Sequence, residues 1–149
     1  MNKTISLCLL ISISTSLLII SLCAPWVLSD KNTFLSGFIN QELLAFLGIT
    51  VTITLASGAN LHLELNRMEE KINKSVFTKS RIAIHQSCYA LIYLIASAFF
   101  LVLIKPLLPG GDIARSFANS FGIIIVAINI VILFDITAMI FSIPSNTDQ

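Results

Sequence analysis

Few side chains in this sequence could do chemistry, and none of them falls into a catalytic spacing. His85 and Cys88 stand one helical turn apart, and His62 with Glu64 closes an earlier apolar stretch. Two imidazoles and a thiolate can hold zinc when two helices bring them together. No paired-ligand motif spans the two stretches, so His62 and His85 are read as amphipathic residues at a membrane interface and no metal is expected. Asp135 is the one ionisable residue well inside a strongly apolar segment. A carboxylate there is expensive, at about 2.5–3.5 kcal/mol on insertion scales, so it must face protein or a wet cavity. Repeated around a ring of copies, Asp135 would line a cation path. Asn129 is six residues away, on another face, and is expected to join helices. Tyr89 and Tyr93 stack on one face as packing residues. There is no glycine-rich phosphate loop, serine triad or HExxH. The expectation is a protein that is not an enzyme, with no cofactor and no small-molecule substrate.

The elements that carry these residues follow from composition. Of 149 residues, 56% are hydrophobic and 11% charged, against about 25% charged in soluble domains. So few charges cannot cover a water-facing surface, and the natural solvent is lipid. The net charge of +1, with Lys and Arg interleaved with Glu, offers no basic footprint for nucleic acid. Cys8, Cys23 and Cys88 are scattered through apolar segments and form no disulfide framework.

A spanning helix takes about 20 apolar residues. Residues 5–28, 43–63, 82–104 and 117–143 qualify, which predicts an all-α polytopic membrane protein in which residues 1–149 form a single four-helix transmembrane domain. Six Lys or Arg (Lys3, Arg67, Lys71, Lys74, Lys79, Arg81) fall on one side and three (Lys31, Lys105, Arg115) on the other. By the positive-inside rule both termini and the middle loop are cytoplasmic. Trp26 sits at the outer end of the first span, as an interface aromatic does. A cleaved signal peptide is disfavoured because the first apolar run is longer than the roughly 7–15 residues of a signal core.

Lipid tails are as apolar as Leu, so small residues that let backbones approach are expected to organise the spans. Gly48, Thr52, Ala56 and Asn60 form such a ribbon on the second span; Ser12 and Ser16, Ala83, Ser87 and Ala90, and Ala118 and Gly122 offer others. These serve packing within the chain or assembly of a homo-oligomer. No Gly or Pro interrupts mid-span in the manner of a transporter, and no internal repeat is present.

The second span does not end where its charges begin. Leu61, Leu65, Met68 and Ile72 step by four, three and four, a heptad seam. Glu70 with Lys74 and Arg67 with Glu70 are helix-supporting pairs, and Glu69 adds to a mixed-charge face. The helix is expected to run about 15 Å into the cytoplasm as a stalk, with residues 64–81 holding eight of the 17 charged side chains. The seam packs on the returning chain or the N-terminus, meets copies of itself, or accompanies a charged face that docks a soluble partner.

The stretch "TLASGANLHLELNRMEEKI", with four short spans around it, resembles small bacterial inner-membrane proteins of anti-phage defence systems, nearest the membrane subunit of the Kiwa system. That resemblance implies a homo-oligomer working with a cytoplasmic, DNA-binding partner subunit, residues 62–81 facing the partner, and spans that respond to membrane disturbance. Phage-exclusion membrane proteins are similar in size and span number alone. "RIAIH" is too short by at least one residue for the Arg-to-His motif of HEPN ribonucleases. The functional expectation is a sensor or anchor in the lipid bilayer that oligomerises and recruits a cytoplasmic protein, with no direct nucleic-acid binding. The alternative is an oligomeric ion-conducting pore lined by Asp135.

Overall fold

The computed structural model describes residues 3–72, 77–108 and 110–142, all helix and short connections with no strand among them. Lys74 lies outside the described residues, as does the side chain of Ile72. Four helices are long and apolar enough to cross a membrane, the architecture of a multi-pass membrane protein.

Helix α1 (Lys3–Cys23) stops before Pro25. Proline disfavours a helical residue ahead of it, and Ala24 is accordingly non-helical, at φ −142°, ψ 62°. Pro25 then opens the one-turn helix α2 (Pro25–Leu28). Asn32 caps α3 (Thr33–Gly37), its Oδ1 accepting from the backbone N–H of Phe34 at 3.1 Å and Leu35 at 3.3 Å. The backbone breaks across Phe38–Glu42, where Ile39 and Asn40 leave helical geometry, and resumes as α4 (Leu43–Ile72). Helix α5 (Thr78–Ile104) returns and ends in a tight turn at Lys105–Leu107, around Pro106. Helix α6 (Asp112–Ser142) carries an acid in its first turn, complementing the helix dipole.

Two expectations change here. The connection before the second span is mostly helical, and the apolar stretch begins at Thr33, ten residues before residue 43. The chain also breaks at Ile39–Asn40 with neither Gly nor Pro at the break. Packing holds it: Ile39 is fully buried, and a Cβ on Gly122 of α6 would lie 2.7 Å from its Cδ1. The bare backbone of Gly122 is what admits Ile39.

Helix α6 is the hub, touching α1, α2, α4 and α5, while α4 and α5 form an antiparallel hairpin. The core joins Leu17, Leu28, Leu35, Ile39, Leu43, Leu47, Ala98 and Ile125. Between α1 and α6, Ser21 shares hydrogen bonds with Ser120 at 2.8 Å and Ser116 at 3.0 Å. Counting equally along this antiparallel pair brings Asp135 level with the first turn of α1. Counting from Asn129 and Thr50, which bond at 3.1 Å on the parallel pair α6 and α4, brings it level with Ala56. From that level α4 continues about 24 Å to Ile72, at 1.5 Å per residue.

Candidate functional site

The projecting end of the α4–α5 hairpin carries most of the residues singled out in the sequence. Its apolar seam is occupied by the chain itself. Leu61 and Leu65 are buried against Ile84 of α5, with Met68, Phe77, Cys88 and Met139 around them. Leu65 is 1% exposed, so Leu61, Leu65 and Met68 are not a free seam for a second molecule. Polar contacts brace the same hairpin. Arg81 reaches Glu69 Oε2 at 2.6 Å and donates to Asn66 Oδ1 at 2.9 Å, while Glu69 Oε1 accepts from the Phe77 N–H at 2.7 Å. Glu69 thus tethers the start of α5 to the end of α4, and its side chain is only 11% exposed.

What remains outward is charge. Arg67 lies 3.6 Å from Glu64, both side chains largely exposed, and not against Glu70 as the spacing suggested. Glu70 and Lys71 are exposed beside them.

His62 and His85 meet edge to face with ring centroids 5.2 Å apart, and Tyr89 stands 6.5 Å from His85. The Nδ1 of His62 is buried without a hydrogen-bond partner. Cys88 lies in the notch left by Gly58, its Sγ 3.1 Å from where a Cβ there would sit. Among the described residues no three His, Cys, Asp or Glu side chains converge as metal ligands.

The predicted small-residue ribbon faces away from the bundle. Gly48 is half-buried, while Thr52, Ala56 and Asn60 are exposed in the single chain; α4 buries Leu43, Leu47, Val51, Thr54, Gly58, Leu61 and Leu65 instead. Where lipid is as comfortable as protein for an apolar side chain, small-residue spacing does not decide which face rolls inward. Asn129 is buried, donating to Thr50, and Asp135 is half-buried.

The opposite end holds a network that the sequence reading did not assemble. Asp30 binds Lys105 Nζ at 2.9 Å and Asn119 Nδ2 at 3.1 Å, with Arg115 at 3.6 Å. Lys105 also donates to the carbonyl of Ile39 at 3.1 Å, inside the broken segment. Burial opposes ionisation of Asp30, but hydrogen bonds from Lys105 and Asn119 and the charges of Lys105 and Arg115 outweigh it, holding the carboxyl below its usual range. The available signal was that each of these charges borders the same end of a span.

Fold and surface together define a multi-pass helical membrane protein with an internally braced, charge-faced hairpin beyond the level where α1 begins. Comparison with family models, with curated proteins and with solved structures finds no match to this chain.

Proposed function

We propose that this protein is a non-enzymatic anchor or sensor of a bacterial inner membrane that recruits a soluble cytoplasmic protein through the α4–α5 hairpin. The observation that carries this reading is the division of labour in the hairpin. Glu69, Arg81 and Asn66 are consumed in bracing it, while Glu64, Arg67, Glu70 and Lys71 are left to solvent. A scaffold that spends buried polar groups to hold a mixed-charge face in place suits recognition of a protein with complementary charges. The Lys and Arg excess at this end argues for the cytoplasm. The outward ribbon of Thr52, Ala56 and Asn60 suits assembly of copies. The resemblance to anti-phage membrane subunits points to a defence role with a DNA-binding partner.

The test is a photo-crosslinking residue placed at Glu70, exposed on the hairpin, in growing cells, with Ile5, exposed on α1, as the lipid-facing control. Adducts to one soluble protein from the hairpin alone, lost on inverting Glu64 and Arg67 together, are the expected result. Adducts to lipid only, or none, would refute recruitment. Asp135 stands toward the hairpin end of α6, level with the first turn of α1 and with Ala56 of α4 and not midway along the spans, which favours recruitment over a pore lined at mid-span. Asp135→Asn is therefore expected to leave planar-bilayer conductance unchanged; a cation conductance that this change abolishes would establish the pore.

A further inference from the structure

At the end opposite the hairpin, the broken segment, the end of α5 and the start of α6 enclose a half-open cavity of ≈ 170 Å³, lined in part by Asp30, Ser36, Asn40, Lys105 and Arg115. Its polar groups are unevenly matched. Lys105 and Arg115 face one carboxylate, and the neighbouring Lys31 is paired with Asp112, so the cavity carries an excess positive charge. The donors are also underused. Arg115 lies 3.6 Å from Asp30, beyond a good hydrogen bond, and its guanidinium donates no hydrogen bond to any described residue. Lys105 uses two of its three protons, on Asp30 and on the Ile39 carbonyl. The Asn40 amide is exposed at the break and engages no described side chain or backbone group. The one carboxylate is held by the cations around it: Asp30 Oδ1 receives both Lys105 and Asn119, and Oδ2 faces Arg115 at 3.6 Å.

A cavity with spare N–H donors and two cations around a single carboxylate suits an oxyanion better than a cation. We propose that this cavity binds a phosphate group, with Arg115 and Asn40 as its principal donors and Lys105 as the fixed charge behind them. The backbone break is what makes room: it carries Asn40 out of helical geometry and turns the Ile39 carbonyl to hold Lys105 in place. Phe34 of α3 and Leu107 after α5 leave apolar side chains exposed at this end, a surface suited to lipid tails, so the phosphate can come from a phospholipid headgroup as well as from solution.

The full chain, purified in detergent, is offered phosphatidylglycerol, diacylglycerol (the same tails without phosphate) and inorganic phosphate. Lipid adducts are read by native mass spectrometry, and phosphate binding by thermal shift. Wild type is expected to retain phosphatidylglycerol over diacylglycerol, or to be stabilised by inorganic phosphate; the first result identifies a headgroup and the second a soluble oxyanion. Arg115→Gln and Asn40→Ala are each expected to weaken that binding about tenfold, with helical circular dichroism unchanged. Lys31→Gln, which removes a cation at the same end but outside the cavity, is expected to leave it intact. Binding of neither probe by wild type overturns the proposal, as does an equal loss in Lys31→Gln and Arg115→Gln.

Discussion

Removing the Arg81 guanidinium tests whether the hairpin is braced as described. In Arg81→Ala the Glu69 carboxylate keeps the Phe77 N–H at 2.7 Å but loses its cation, and Asn66 loses its donor. A hydrogen bond to a charged group contributes about 1.5–3 kcal/mol net, whereas a fully exposed ion pair contributes about 0–1 kcal/mol. With side chains 29% and 11% exposed, the pair lies between these limits, and about 2 kcal/mol is a fair value. At about 1.4 kcal/mol per factor of ten, local opening of the hairpin becomes roughly 30-fold more frequent. Hydrogen–deuterium exchange of the detergent-solubilised protein reads this as lost protection in the last turns of α4 and at Phe77, with α1 unaffected. Because both residues serve one contact, Glu69→Gln combined with Arg81→Ala is expected to fall well short of the summed single effects. Arg67→Ala, which breaks only the exposed 3.6 Å contact with Glu64, is expected to change protection less than about twofold. Additive Glu69 and Arg81 effects, or an Arg81→Ala loss no larger than that of Arg67→Ala, would refute the brace.

Gly122→Ala sets a methyl 2.7–2.9 Å from Ile39 and is expected to destabilise by about 1–3 kcal/mol. Adding Ile39→Ala relieves the clash, so the double variant should melt above the sum of its parts. For Asp30, the folded carboxyl lies below its unfolded value of about 3.9. Its contribution to stability is therefore present at neutral pH and fades as pH falls through and below that value, toward the lowered folded one. Thermal unfolding across acid pH should show this loss in wild type, and Asp30→Asn should remove that step while lowering stability at pH 7. Ala56→Phe places a bulky ring on the outward ribbon of α4. Native mass spectrometry should show a smaller assembly if that ribbon joins copies, and an unchanged mass would exclude it as the interface.

The spans were legible because lipid imposes a simple demand: about 20 residues of apolar helix per crossing. Continuity of α4 past its last apolar turn was legible for a similar reason, since nothing from Ala59 to Ile72 breaks a helix and the charges fall on one side of an apolar seam. Helical phase is a local property that side-chain order encodes directly. What that seam touches is not local. Leu65 meets Ile84 and Glu69 meets Arg81 only because α5 turns back at a particular register.

The same limit explains the ribbon and the break. Gly48, Thr52, Ala56 and Asn60 have the spacing of a packing face, but the roll of α4 was decided by larger side chains on α5 and α6 and by Ile39 seated on Gly122. Gly37 marks a helix end beside Ile39, but the room that Ile39 occupies comes from a glycine more than 80 residues away. Asp30, Lys105 and Arg115 likewise read as three separate span-end charges until the fold gathered them. Solvent preference and helical phase are carried by each segment alone, and the sequence determined those. Relative level, roll and partnership depend on where distant segments pack, and only the tertiary structure decided them.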